Sequence, residues 1–331
     1  MAPAPVLRLV LGGDAMLGRL VGEAIARFGP DYPLGQIAPL LRQADLAAVN
    51  LECALTDSKV QWEGEPKAFY FRAGPEAVLS LTDAGVALVA LANNHALDFG
   101  SRGLFDTMAL LDVHDIAHAG AGADLRSALR PAVLERAGVR LGMAAFCDHQ
   151  ADFGATARKP GIAWLDLEDE AGALAAFGAA LDKLRAARVD WPVLSLHWGP
   201  NMVWRPSARF RRLAHAAIDQ GWKILFGHSA HVFQGVELYR GCPILYAAGD
   251  LVDDYRVDPG FRNDHQLLFE LELAGGALRR MVLYPLFIER CRTVPASAAQ
   301  RAWIGRQMAQ LCAELGTPLL ASGDTFVIDA T

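Results

Sequence analysis

Five short apolar runs in this chain each end in a side chain that ionises or carries an amide, and this repetition restricts the fold more than any other feature. Residues 6–12 lead into Gly13-Asp14, 46–49 into Asn50-Leu51-Glu52, and 86–92 into Asn93-Asn94-His95. Residues 193–196 lead into His197-Trp198-Gly199, and 224–226 into Gly227-His228-Ser229-Ala230-His231. The runs have strand length and composition, and Ala-rich segments of helical spacing separate them. Such alternation describes an α/β protein with largely buried strands. Ligands of open α/β sheets bind beyond the carboxyl ends of the strands, so side chains distant in sequence are expected to meet in one crevice.

The fourth and fifth of these runs are predicted as strands over 192–197 and 223–226, and further strands at 140–146 and 244–248, followed by an antiparallel pair at 266–273 and 278–283 joined through Gly275-Gly276. Helices are predicted over 17–28, 37–43, 75–84, 101–111, 168–187, 207–220 and 296–314. Pro75 stands at a first helical position and Ser207 at an N-cap. No repeat, low-complexity tract or polar linker divides the 331 residues. The expectation is one domain over 1–290, with 291–331 as a C-terminal helix and tail packed on it.

The balance of 31 basic against 37 acidic residues gives a net charge of −6, which offers no electrostatic footprint for nucleic acid. Five cysteines are scattered without a Cys-x-x-Cys pair, so neither a disulfide framework nor a zinc ribbon is expected. The first apolar run is much shorter than a membrane span and follows no basic region. It reads as a strand rather than a leader, and the expected location is cytoplasmic with no membrane span.

The chemistry of the strand ends is more specific. Carboxylates, an amide oxygen and three or four imidazoles form a mixed oxygen and nitrogen donor set suited to Mn, Fe, Zn or similar divalent ions. The set exceeds what one ion takes from protein, so two divalent metal ions sharing a carboxylate are expected. His95, with Asp98 three residues on to orient its ring, is the candidate general acid. Arg19 is the candidate partner for an anionic substrate oxygen.

On these residues the sequence resembles the CapA-type poly-γ-glutamate (capsule) biosynthesis family, itself similar to the calcineurin-like metallophosphoesterases. The matching segments are Gly13-Asp14-Ala15-Met16-Leu17-Gly18-Arg19, Asn50-Leu51-Glu52 and Ala92-Asn93-Asn94-His95-Ala96-Leu97-Asp98-Phe99-Gly100. Later come His197-Trp198-Gly199, the stretch from Gly227 to Gly235, and Ala248-Gly249-Asp250-Leu251. The resemblance spans residues 6–255 and implies a four-layer α/β/β/α sandwich with two metals at one edge. It implies Asp14 and His231 as ligands of the first metal, Glu52 as the bridging carboxylate, and Asn94, His197 and His228 as ligands of the second. The catalytic acid implied is His95.

The chain departs from the phosphoesterase pattern in several places. Met16 occupies the histidine position of Asp-x-His, the bridge is Glu rather than Asp, and the last two histidines are three apart. Asp250, where relatives carry Asn, is an alternative replacement for the ligand lost at Met16. Relatives are also often membrane-anchored, and no anchor is read in this chain.

Structural readings compete at other positions. Asn50 is expected to hydrogen-bond a turn more than to ligate, Asn93 to serve in a turn, and Trp198 and Trp204 either to pack or to flank substrate. His114 and His118 are expected on the surface, His215 in a structural role, and His149 at the cleft. The segments 253–256 and 262–265 read either as solvated loops or as substrate recognition. Three functions follow: a metal-dependent phosphoester hydrolase, a hydrolase or transferase of amide or γ-glutamyl bonds at the same centre, and a non-enzymatic assembly protein that binds a polyanion. Each takes a small-molecule or polymeric anionic substrate.

Overall fold

The structure, a computed structural model, describes residues 6–330, so expectations that touch residues 1–5 and 331 lie outside the described residues. Two sheets carry the chain. The larger runs in the order Leu320–Ser322, Thr325–Asp329, Ala277–Glu289, His265–Ala274, Val6–Ala15, Leu46–Leu51, Leu88–Ala90 and Ala117–Ala119. Its last four strands are mutually parallel and the others antiparallel. The smaller runs Val236–Tyr239, Cys242–Leu245, Ile224–His228, Trp191–His197, Val139–Cys147 and Ala132–Arg136, with antiparallel strands at both edges.

The period-two alternation of buried side chains builds the layers. On the smaller sheet Ala144, Phe146, Leu194, Leu196, Leu225 and Ile244 pack with Phe177 and Leu181 of the helix Glu170–Ala186 and with Leu213 and Ala217 of the helix Ala208–Gln220. Their neighbours Met143, Ala145, Cys147, Val193, Phe226 and Leu245 turn the other way and join the larger sheet in one continuous core. The helices Arg19–Phe28, Ala38–Arg42, Val78–Ala84 and Gly100–Val113 add Val21, Leu41, Leu81 and Leu104 to that core. The result is the four-layer α/β/β/α sandwich.

The predicted helices and strands are found, with shifted ends. Ser207 caps its helix by accepting a hydrogen bond from Phe210 N, and Ala274 pairs with Ala277 across the predicted hairpin. Residues 86–92 shorten to the strand Leu88–Ala90. The segment after 290 is more than a helix and tail: Arg292–Pro295, Leu320–Ser322 and Thr325–Asp329 are strands that extend the larger sheet around the helix Ala298–Ala313. These strands are only three to five residues long, and so escape a reading based on period. His114 and His118 share no helical face, because the helix stops at Val113 and His118 lies in the strand Ala117–Ala119.

The first strand is bent where its chemistry begins. It pairs with His265–Ala274 through Leu11, shifts register, and at Asp14 pairs with Asn50 on one side and Asp250 on the other. Gly13 makes this possible: Asp14 N donates to Gly249 O at 2.9 Å, and a Cβ at Gly13 would lie 1.8 Å from that carbonyl oxygen. Backbone cannot retreat as a side-chain tip can. Gly13→Ala is therefore expected to cost about 2–3 kcal/mol in denaturant unfolding. Gly12→Ala, which would meet only Leu251 and Val49 side-chain carbons at 3.1–3.2 Å, should cost less.

Candidate metal centre

The bend delivers Asp14, fully buried, to a point where the two sheets meet. Its Oδ1 lies 3.6 Å from His228 Nδ1 and 4.0 Å from His197 Nδ1, and the two imidazole nitrogens are 2.9 Å apart. His197 and His228 are directly paired in register on adjacent parallel strands, which puts both rings on one face. Ser195 Oγ, 2.9 Å from His228 Nε2, leaves His228 Nδ1 turned toward Asp14.

A second group forms on the other oxygen. Asp14 Oδ2 lies 3.7 Å from His231 Nδ1, which is 2.9 Å from Asp250 Oδ1, and Glu52 completes the group. Donor atoms of Asp14, His197 and His228 lie within 4.8 Å of one another, as do those of Asp14, Glu52, His231 and Asp250. Asp14 is thus common to both groups. Glu52 Oε1 approaches His197 Nε2 at 3.7 Å and accepts no hydrogen bond, while its Oε2 accepts one from Tyr255 at 3.2 Å.

Local strain sets this geometry. Ser229 (φ 99°) and His231 (φ 57°) are in the left-handed region, costly for side-chain-bearing residues. In return Ser229 N donates to Asp14 Oδ2 at 3.1 Å and His231 turns back toward the carboxylates. Arg19, Gln150 and Met202, which line the neighbouring cavity, share positive φ.

The electrostatics call for a cation. Burial pushes Asp14 up to about 6. It raises Glu52 well above the carboxylate range with help from Asp14, and does the same to Asp250. Burial also drives His228 down to about 3 and His197 well below its ordinary value. Among the described residues no Lys or Arg lies within 4 Å of Asp14, Glu52, Asp250 or Asp253. Buried carboxylates without counter-charge beside neutral imidazoles are costly in isolation and suited to divalent ions. Three of their oxygens, Glu52 Oε1, Asp250 Oδ2 and Asp253 Oδ2, are buried without a partner. The residues fit divalent metal binding.

Several individual readings are now refined. Met16 is fully buried and its Sδ accepts from Gly18 N at 3.2 Å, while Asp250, the alternative donor, stands in the second group. Asn50 donates to Asp14 Oδ1 at 2.7 Å and accepts from Asn93, so it orients a donor. Asn93 is more than a turn residue: it is buried, bonds Asn50 and Leu51, and accepts from His95 N at 3.0 Å. Asn94 lies at the cavity with its Oδ1 buried and unpartnered. His149 Nε2 meets Ser229 Oγ at 3.0 Å, and its ring packs 5.6 Å from that of His197.

Trp198 stacks on Phe210 and Trp204 packs among Phe233, Phe261 and Trp303, both in packing roles. His215 is tied to Glu237 at 2.9 Å. The segment 253–256 is not a solvated loop: Asp253 is buried, Asp254 pairs with Arg19, Tyr255 holds Glu52, and Arg256 faces the cavity.

His95 stands apart from both donor groups. Its Nδ1 is 2.6 Å from Asp98 Oδ2, its Nε2 is 4.0 Å from Glu52 Oε1, and its ring stacks on Phe71 at 3.8 Å. Burial lowers His95 to about 4. Beside it opens a cavity of about 620 Å³ lined by Arg19, Lys67, Phe69, Tyr255 and Arg256 among others, and no carboxylate. Arg19 is the first residue of its helix, tied to Asp254 at 3.2 Å and lying over Phe69 and Phe71. Lys67 and Phe71 lie in a loop without periodicity, and nothing in the sequence pattern marks them. Among the described residues no helix is long and apolar enough to cross a membrane.

Comparison with known proteins adds a family. The sequence model described as "Bacterial capsule synthesis protein PGA_cap" matches residues 8–255. A "Probable polyglutamine synthesis accessory protein" of Mycobacterium tuberculosis is 31% identical, with 97% of this chain and 95% of that protein covered. "Capsule biosynthesis protein CapA" of Bacillus anthracis is 29% identical over 88% of this chain and 70% of its own length. A solved 5'-nucleotidase precursor of Thermus thermophilus is similar at 15% identity with a TM-score of 0.43, covering 96% of this chain and 61% of that one.

Proposed function

The chain belongs to the bacterial capsule synthesis protein family, and from that premise we propose that it is a metal-dependent hydrolase that cleaves a phosphoester in an anionic substrate. One observation carries the reading: two donor groups share Asp14 beside a cavity whose charged lining residues are all cationic. Asp14, His197 and His228 would hold one divalent ion, with the unpartnered Asn94 Oδ1 as the further ligand that the family resemblance implies, and Asp14, Glu52, His231 and Asp250 would hold the other. On this assignment the shared carboxylate is Asp14 rather than Glu52. Divalent ions bound there supply Lewis-acid activation of water and of the scissile group.

The remaining roles fall to side chains. Arg19, oriented by Asp254 and two phenylalanine rings, offers a planar fork to anionic oxygens, and Arg256 adds a cation at the mouth. His95 keeps a proton on Nδ1 against Asp98 and presents Nε2 to the centre. Because burial favours its neutral form, the negative charge of a bound substrate is what draws the second proton onto Nε2, from where it passes to the leaving oxygen. The cavity's cations, which suit carboxylates as well as phosphates, favour a second reading, in which the same centre opens an amide or γ-glutamyl bond.

The test is elemental analysis of the purified protein with turnover assays in added Mn²⁺. Two ions per chain and phosphate release from an aryl phosphate are expected, and His228→Ala should lose both an ion and activity. Amine release from γ-glutamyl amides without phosphate release would select the second reading. Polyglutamate binding by metal-free protein, with turnover of neither substrate, would replace both with an assembly role.

A further inference from the structure

Asp98 is fully buried and uses both carboxylate oxygens. Oδ2 meets His95 Nδ1 and accepts from Phe71 N, both at 2.6 Å. Oδ1 is held by the Lys67 ammonium, which also donates to the Asn94 carbonyl oxygen and lies 3.4 Å from His95 Nδ1. The Lys67 side chain is only 8% exposed, and its ammonium sits 4.8 Å over the Phe153 ring. The loop that brings it there is fastened to the same aspartate, since Trp62 N donates to Asp98 O at 2.9 Å.

These contacts make Lys67 more than a surface ion pair. A buried carboxylate facing an imidazole fixes which ring nitrogen carries the proton only while it stays ionised and correctly turned. Lys67 is the only lysine or arginine within 4 Å of Asp98 among the described residues. Without it, Oδ1 would be a buried oxygen with no partner, and nothing would hold the carboxylate in its present turn. A rotated Asp98 no longer demands a proton on His95 Nδ1.

We propose that Lys67 is a positioning residue: through Asp98 it locks the His95 ring in the tautomer that carries its proton on Nδ1 and presents Nε2 to the metal centre. It forms the outer member of a Lys67–Asp98–His95 chain, and it acts without ligating either ion. The consequence for turnover rests on the function proposed above; the tautomer lock does not.

The experiment uses full-length protein with ¹⁵N-labelled histidine. In the wild type the His95 nitrogen shifts should report one tautomer, with the proton on Nδ1. Lys67→Met should give a mixture or the opposite tautomer, Asp98→Asn should reproduce that change with Lys67 in place, and Lys67→Arg should restore the wild-type pattern. Metal content should not change in Lys67→Met. If the protein turns over an aryl phosphate, kcat should fall about 10–100-fold with little change in KM. An unaltered His95 tautomer in Lys67→Met overturns the proposal, as does a loss confined to KM, which would make Lys67 a substrate-binding cation. Absence of turnover with any substrate refutes the hydrolase reading but leaves the tautomer result to decide this one. Should Lys67→Met fail to fold, Lys67→Gln and Asp98→Asn carry the same comparison.

Discussion

His95→Ala should lower turnover of a substrate with a poor leaving group by about 10²–10⁴-fold while both metal ions remain bound. The separation of these outcomes follows from position. His95 belongs to neither donor group, and its only approach to one is Nε2 at 4.0 Å from Glu52 Oε1. Its other contacts are Asp98, Lys67 and the stacked Phe71 ring, none of them a donor in either group. Removing the imidazole takes away the proton source and leaves the donors in place. The loss should shrink for an aryl phosphate whose leaving group needs no protonation, and the ratio between alkyl and aryl substrates isolates the proton-transfer contribution from any general disturbance. Elemental analysis supplies the contrast: a matching drop in bound metal would make His95 a ligand, and an unchanged alkyl rate would remove it from the mechanism. His228→Ala should behave oppositely, losing metal and all substrates together.

How much of the site is legible in the sequence follows from what period and spacing can encode. Asp14, Glu52, His197 and His228 each end a buried strand or directly follow one, so parallel pairing brings the first two to the end of one sheet and the last two to the end of the other, and the packing of the two sheets joins them. The sharing pattern cannot be read from residue order. Which carboxylate serves both groups depends on the bend at Gly13, where a glycine lets Asp14 point one oxygen at each group. Asp250 is legible only as an alternative to Met16, because its place beside Asp14 comes from a three-residue strand laid against the end of the first. Lys67 and Phe71 are beyond reach for a different reason. They reach His95 through a loop whose path is fixed by single contacts to Asp98, and such contacts leave no periodic trace in the residues that make them.

Removing the metals should destabilise the protein by an amount set by ion concentration, about 4 kcal/mol at a thousandfold excess over the dissociation constant, and the sign of one substitution should reverse with loading. Asp14, Glu52, Asp250 and Asp253 are all buried, with no Lys or Arg within 4 Å among the described residues. In stripped protein their ionisation works against burial and mutual repulsion with no lysine or arginine to offset either. Asp250→Asn relieves that repulsion while still offering an oxygen to His231, so it should raise the melting temperature of the stripped form. In the loaded form the same change deletes a donor from the Asp14, Glu52 and His231 group, and the melting temperature should fall below that of the loaded wild type.

The pH dependence has a defined sign as well. Asp14 is pushed up by burial from 3.8 to about 6, so the folded stripped protein holds a proton that the unfolded chain has released. Its contribution to stability is present below about pH 4 and is lost as pH rises through about 6. Bound cations favour the ionised carboxylates, and the stability gap between loaded and stripped protein should therefore widen over that interval. Calorimetry with and without chelator, on wild type and Asp250→Asn, reads both effects. If chelation leaves the melting temperature unchanged and Asp250→Asn shifts both forms equally, these carboxylates do not hold divalent ions, and the hydrolytic reading loses its nucleophile.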